Sequence, residues 1–252
     1  MCIRDRPNLC KAVAKNERYY GDFAIFETAQ VFRDENYTTP YDQRERLPSQ
    51  RKNVAGAFVS AGKDVTALFR KAKGVVELMP RYTHMEPYSF RQVSKPVWAD
   101  EVVWLNIYLG EEYIGDLALL SKRVSMACGI KNVNVMLFQL DQDALIPLRS
   151  RTNSFRHLAE YPMTDYDISL LLDGQVKWAD VAQTIGGIKN PLLHGAAFVD
   201  EYRGKQVPEG KKSLTARLTI GSAEKTLTSA EIEEVANSVL KKLAKRFGAE
   251  LR

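Results

Sequence analysis

The sequence predicts an α+β protein of two parts, each built on an antiparallel sheet. Three observations carry this expectation. Strand-like and helix-like runs alternate along the 252 residues, with a tight glycine-containing loop, Gly110-Glu111-Glu112, joining two of the β-rich runs as in a hairpin. A polar and basic run, Arg149-Ser150-Arg151-Thr152-Asn153-Ser154, followed by Tyr161-Pro162, interrupts the pattern, which then starts afresh, so residues 150–162 read as a linker. Near the end lies a long amphipathic helix whose two termini are both signalled by the residues that flank it.

In the first part, residues 1–155, Asn8–Asn16 is helix-like, and Phe23–Phe32 and Val54–Ser60 are β-rich. The polar stretch 34–53 between those strands, with Pro40 and Pro48, reads as a long loop. Asp64–Met79 places Val65, Leu68, Phe69, Ala72, Val75, Val76 and Met79 at helical spacing. Val102–Leu109 and Tyr113–Leu120 form the hairpin, and Val133–Leu140 is a further strand. Only one helix precedes the first strand, and Met1–Arg6 fits nothing around it, as expected of a chain that starts inside a fold.

In the second part, residues 156–252, Tyr166–Leu172 is strand, Val176–Ile188 is helix, and Gly195–Tyr202 and Ser213–Ile220 are strands. Thr228 and Glu231 then form a capping box. Ile232, Val235, Ala236, Val239, Leu240, Leu243 and Phe247 make one apolar stripe, and Gly248 stands where a helix C-cap needs a left-handed residue. A last short strand, Ala249–Leu251, completes βαββαβ, the ferredoxin-like order, with two helices on one face of the sheet and the other face open. An open face of this kind can present aromatic rings to unpaired bases.

Composition excludes several classes. At 45% hydrophobic residues the chain has ample material for packed cores, which rules out a disordered polymer. No apolar run approaches the ~20 residues of a membrane helix, and the start of the chain has no secretory signal, so a cytoplasmic protein with no membrane partner is expected. Cys2, Cys10 and Cys128, and His84, His157 and His194, are too scattered for a disulfide framework or a zinc site. The net charge of +5 divides into +4 for residues 1–155 and +1 for 156–252, so neither part is a basic block and binding to DNA is not expected.

Catalytic motifs dissolve on inspection. Gly56 and Gly62-Lys63 are spaced wrongly for a phosphate loop, and Asp64 replaces the Ser or Thr it needs. There is no G-x-S-x-G elbow. Phe32-Arg33-Asp34-Glu35 matches the F-R-x-E tetrad of class II aminoacyl-tRNA synthetases, but the later G-x-G-x-x-R motif occurs nowhere. The residues alone favour binding or assembly over catalysis.

Four ordered strings in the second part go further: Asp200-Glu201-Tyr202-Arg203-Gly204, Pro208-Glu209-Gly210-Lys211-Lys212-Ser213-Leu214, Thr226-Leu227-Thr228 with Glu231, and Gly248-Ala249-Glu250-Leu251-Arg252. Together they resemble the ferredoxin-fold anticodon-binding domain of the bacterial phenylalanyl-tRNA synthetase β-subunit family. Phe26-Glu27 with Val31-Phe32, Lys73-Gly74-Val75-Val76-Glu77, and Gly110 with Gly115 resemble that subunit's catalytic-like module, a class II relative that has lost its chemistry. The resemblance implies an incomplete class II catalytic-like module at 1–155 and an anticodon-binding domain at 156–252. Complete β subunits also carry a tRNA-binding fold, an editing domain and helix-turn-helix-like modules upstream, so a C-terminal fragment is implied and editing is not assigned to it.

The implied partners are the synthetase α subunit, in an α₂β₂ assembly, and tRNA-Phe; ATP and Mg²⁺ are implied to be held by the α subunit, with no cofactor on this chain. The implied anticodon contacts are Tyr202, stacked on the first anticodon base, with Asp200 and Ser213 reading its edge. Arg203, Lys205, Lys211, Lys212 and Arg217 are expected to supply phosphate contacts. Two departures stand out: Tyr166-Asp167 replaces the family's Arg-Asp, and Val199 replaces the aromatic before the D-x-Y motif, with Phe198 one position earlier. The alternative reading is a stand-alone RNA-binding or interaction protein without a synthetase partner.

Overall fold

The computed structural model describes residues 5–33, 49–146, 152 and 160–252, and the chain divides into two compact units, Met1–Ser154 and Phe155–Arg252. The expected linker lies mostly outside the described residues.

In the first unit the elements are α1 (Asp5–Asn16), β1 (Asp22–Arg33), β2 (Ser49–Ser60), α2 (Val65–Tyr82), β3 (Ser89–Arg91), β4 (Ala99–Leu109), β5 (Glu112–Leu120), α3 (Lys122–Ala127), β6 (Asn134–Asp141) and α4 (Gln142–Leu145). The strands form one six-stranded sheet in the order β1-β2-β6-β5-β4-β3, each neighbouring pair antiparallel. The loop expected over 34–53 is shorter at its end. Ser49–Asn53 belong to β2 and pair with Ala29–Arg33 of β1. Their side chains are polar, so hydropathy hides a segment whose strand state is fixed by cross-strand hydrogen bonds. The rest of that stretch lies outside the described residues.

Both faces of the central strands of this sheet are covered, which is why β6 reads as a nearly unbroken apolar run. Ala55, Ala57, Val59, Ala118, Val135 and Leu137 pack with Leu9 and Val13 of α1 on one face. Phe58, Leu117, Met136 and Phe138 pack with Leu68, Ala72 and Val76 of α2 on the other. Asp64 caps α2 by accepting the Ala67 N–H at 2.9 Å. The hairpin between β4 and β5 turns on Gly110, whose φ of +62° suits glycine. Gly115 in β5 lies so close to the Gln139 carbonyl of β6 that a Cβ there would overlap it. The short elements β3, α3 and α4 have no periodic signature and were not expected.

In the second unit, β7 (Thr164–Asp173), α5 (Trp178–Gly186), β8 (Leu193–Tyr202), β9 (Lys211–Ile220), α6 (Ser229–Phe247) and β10 (Glu250–Leu251) follow the expected βαββαβ order. Their sheet order is β10-β7-β9-β8, antiparallel throughout. Ile168, Leu170 and Leu172 of β7, and Leu214, Ala216, Leu218 and Ile220 of β9, share a core with Val181 and Ile185 of α5 and with Ile232, Val235, Val239 and Leu243 of α6. Even-numbered positions on the two central strands therefore face the helices, and odd-numbered ones face away.

The ends of α6 are fixed as the sequence predicts. Thr228 and Glu231 form the reciprocal capping box, and Gly248 closes the helix in the left-handed conformation. Lys225 pairs with Glu231. The hydrogen bonds from Lys225 and from Thr228 hold the Glu231 carboxyl down at about 2, well below its ordinary value of 4.5. A depressed carboxyl stabilises the fold above its unfolded value, and that stabilisation fades as pH falls from about 4.5 towards 2. Glu231→Gln should remove this part of the acid-denaturation profile, and Thr228→Ala should cost about 1 kcal/mol in urea unfolding at neutral pH. In the first unit, Gly115→Ala should cost about 1–3 kcal/mol, because the clash falls on backbone that is held by the sheet.

Candidate nucleic-acid interface

The face of the second sheet turned away from α5 and α6 is polar at its centre. Ser169 of β7 stands opposite Thr215 of β9, their hydroxyls 3.0 Å apart, and Ser213 follows two residues before Thr215. What reaches this face from β8 is decided by a bulge. Phe198 pairs with Ala216 but Asp200 with Thr215, so Val199 is an extra residue on β8.

The bulge reverses the alternation. Before it, even-numbered residues face the helices: Ala196 packs on the core, and Phe198 meets Trp178 of α5 edge to face, ring centroids 5.8 Å apart. After it, Asp200 and Tyr202 stand opposite Thr215 and Ser213 on the open face. Glu201 turns instead to the helix side, where its carboxylate accepts from Lys212 at 2.7 Å. The two residues flagged as departures thus have distinct structural places, Phe198 as a packing ring and Val199 as the bulge itself.

Asp200, Tyr202 and Ser213 line one cavity of about 460 Å³, with Ser169 and Thr215, and with Gln206 and Arg252 alongside. This size lies within the range of small-ligand sites. Asp200 Oδ1 accepts the Glu201 N–H at 2.8 Å. The Tyr202 ring, 41% exposed as a residue, lies across Gly204, where any Cβ would meet its hydroxyl and ring edge. The Arg252 guanidinium stands over the same ring, 5.6 Å from its centroid, and donates to Gln206 Oε1 at 3.1 Å. The Arg252 N–H donates to the Ser169 carbonyl at 2.9 Å, carrying the β10 edge onto this face.

The basic cluster is not gathered here. Lys212 is 3% exposed and ion-paired with Glu201 on the helix side, so the expectation of a phosphate contact is corrected: its ammonium is buried and neutralised. Arg203 also donates to Glu201, at 2.8 Å, and to the Gly174 carbonyl at 2.9 Å. Burial pushes the Glu201 carboxyl up, but the hydrogen bonds from Lys212 and Arg203 outweigh this and hold it below the usual range. Arg217 grips Asp167 through two bonds of 2.7 and 2.8 Å, which hold Asp167 low and raise the guanidinium further. Lys211 lies 3.6 Å from Glu250. Lys205 is exposed and does not line the cavity.

Sequence reasoning missed Ser169, Thr215, Gln206 and Arg252. The first two had a signal, small hydroxyl residues at odd positions of strands whose even positions are apolar. Arg252 stood in a motif string without a role. In the first unit, Phe32 and Arg33 end β1, while Asp34 and Glu35 of the F-R-x-E tetrad lie outside the described residues. Among the described residues, no three His, Cys, Asp or Glu side chains gather as a metal site requires.

An α+β chain whose ferredoxin-like unit carries a stacking ring and short polar groups on an open sheet face has the features of an RNA-binding module. Family comparison makes this specific. Residues 159–252 match the ferredoxin-fold anticodon binding domain, and residues 6–142, more than half of the chain, match the phenylalanyl tRNA synthetase beta chain CLM domain. The chain belongs to the phenylalanyl tRNA synthetase beta chain family.

Curated relatives agree. Phenylalanine–tRNA ligase β subunits from Clostridium tetani (24% identity, 97% of this chain, 30% of the relative), Bradyrhizobium diazoefficiens (27%, 97% and 31%) and Oceanobacillus iheyensis (28%, 98% and 30%) align along nearly the whole sequence. The chain spans about 30% of their length. A solved pyrrolysyl-tRNA synthetase from Desulfitobacterium hafniense overlays 56% of the chain and 46% of its own, with a TM-score of 0.44 and 13% identity, too slight a likeness to carry an argument.

The bulge supplies a direct test of how the site is built. Deleting Val199 should close the bulge and restore simple alternation with Phe198 still towards the helices and Asp200 and Tyr202 still on the open face, because Asp200 then follows Phe198 directly and keeps its place opposite Thr215. Nitration of tyrosines, located by mass spectrometry, should then persist at Tyr202 as it does at Tyr19 and Tyr82, both exposed in the other unit; a sharp fall at Tyr202 alone would show that Val199 is not the extra residue.

Proposed function

We propose that this chain is part of a phenylalanine–tRNA ligase β subunit and that its second unit recognises the anticodon of tRNA-Phe. The observation that carries the reading is the convergence of Asp200, Tyr202 and Ser213 on one cavity of an open sheet face, in a unit that matches an anticodon-binding family. Tyr202 offers a rigid π-face for an unstacked base. The Asp200 carboxylate accepts only, and suits the N1–H and N2–H donors on the Watson–Crick edge of guanine, while the Ser213 hydroxyl can donate or accept. Recognition rests on stacking and short-range hydrogen bonds, because most of the nearby cations are already neutralised by carboxylates of the same unit.

On this reading the first unit serves assembly. The central strands of its sheet are covered on both faces, and it partners the synthetase α subunit in an α₂β₂ enzyme. Phenylalanine, ATP and Mg²⁺ belong to that α subunit, where phenylalanine is activated and transferred to tRNA; this chain contributes no catalytic group, and its role is to bring the correct tRNA to the enzyme.

The test is binding of the full chain to an RNA hairpin carrying the tRNA-Phe anticodon loop. Tyr202→Ala should lose about 1–3 kcal/mol of affinity, and Tyr202→Phe should lose little, since the ring does the stacking. Equal binding by wild type and Tyr202→Ala would rule out the stacking role. Co-purification with an α subunit tests the assembly role; failure to associate, with RNA binding retained, would favour the stand-alone RNA-binding protein.

A further inference from the structure

We infer that Arg252 is the anion-binding group of the open-face site, contacting the phosphodiester of the nucleotide whose base stacks on Tyr202. This rests on the anticodon-binding reading and adds to it a residue to which neither the sequence motifs nor the family match gives a role. Of the five cations that the sequence flagged, Arg203 and Lys212 share Glu201, Arg217 is forked onto Asp167, Lys211 faces Glu250, and Lys205 stands off the cavity. Arg252 alone among cations lines that cavity, and among the described residues no carboxylate pairs with it.

Its restraints are weak and exchangeable. The guanidinium is exposed, stacked over Tyr202 and bonded to one neutral acceptor, Gln206 Oε1. Four of its five N–H donors therefore have no acceptor among the described residues, and a planar donor fork of this kind matches the geometry of two phosphate oxygens. The backbone, by contrast, is fixed by the bond to Ser169, so the side chain springs from a rigid edge.

Asp200 lines the same cavity without pairing with Arg252. The cavity thus keeps an acceptor-only group and a donor-only group apart. A ligand that satisfies both must carry hydrogen-bond donors on one part and an anion on another, as a guanine nucleotide within a single strand does.

The experiment is the salt dependence of binding of the full chain to the tRNA-Phe anticodon hairpin. Loss of one phosphate contact lowers the slope of log K against log salt by about 0.7 for single-stranded RNA. Arg252→Gln should show that drop, Arg252→Lys should keep most of the slope because the charge remains, and Lys241→Gln, on the exposed side of α6, should leave it unchanged. If Arg252→Gln keeps the wild-type slope while Tyr202→Ala still weakens binding, the assignment of Arg252 is overturned and the stacking role stands. If neither variant alters binding, both fall.

Discussion

The period-two alternation of a β-strand, broken at Val199, is the constraint on which the candidate site depends. On β7 and β9 the alternation is uninterrupted, so each strand commits its even positions to the helices and its odd positions to the open face. β8 must do two things in ten residues: pack Ala196 and Phe198 against α5, and present Asp200 and Tyr202 to the open face. All four are even-numbered, so no unbroken strand can do both. One extra residue resolves the conflict. It lies on an edge strand, where the disruption costs fewest ladder hydrogen bonds.

The same reversal organises the electrostatics. Turning Asp200 outward turns Glu201 inward, to a place where a lone carboxylate would be poorly solvated, and Lys212 from the neighbouring strand meets it there. Without Glu201 the buried Lys212 ammonium would be left unpaired, so Lys212 is committed to the fold and not to a ligand. Arg203 joins the same carboxylate and ties the loop after β8 to the Gly174 carbonyl. The basic residues that look in sequence like a cluster for phosphate are therefore mainly structural. The cavity on the open face keeps neutral groups, one acid and one base, Asp200 and Arg252.

How much of this could be read beforehand follows from the same physics. The helix α6 and the order of the second unit were legible because caps and apolar stripes are local signals, complete within a few residues of one another. Asp200, Tyr202 and Ser213 were legible through motif resemblance, though alternation alone would have put Tyr202 and Phe198 on one face. The bulge was not legible, since Val199 is an ordinary strand residue and its state is set by the register of β9. Pairing of cations was equally hidden: Lys212 and Glu201 are eleven positions apart and Arg217 and Asp167 fifty apart. The polar start of β2 was missed for a related reason, because its partner strand, and not its own composition, makes it a strand.

The first unit shows what strands covered on both faces can and cannot do. With α1 on one side and α2 on the other, β2, β5 and β6 bury most of what they carry, and the close approach at Gly115 leaves no room for a side chain between β5 and β6. Polar groups that remain inside are used to hold shape. Asn106 Nδ2 donates to Asp116 at 2.8 Å, Tyr113 donates to the other Asp116 oxygen at 2.8 Å, and Asn106 Oδ1 accepts the N–H groups of Val93 and Ser94. Burial pushes the Asp116 carboxyl up while those donors oppose it. A carboxylate with both oxygens occupied by neutral donors anchors a loop; it is not placed to move a proton or hold a cation. The contrast is with the second unit, where a face left uncovered by helices keeps Asp200, Arg252 and the Tyr202 ring accessible.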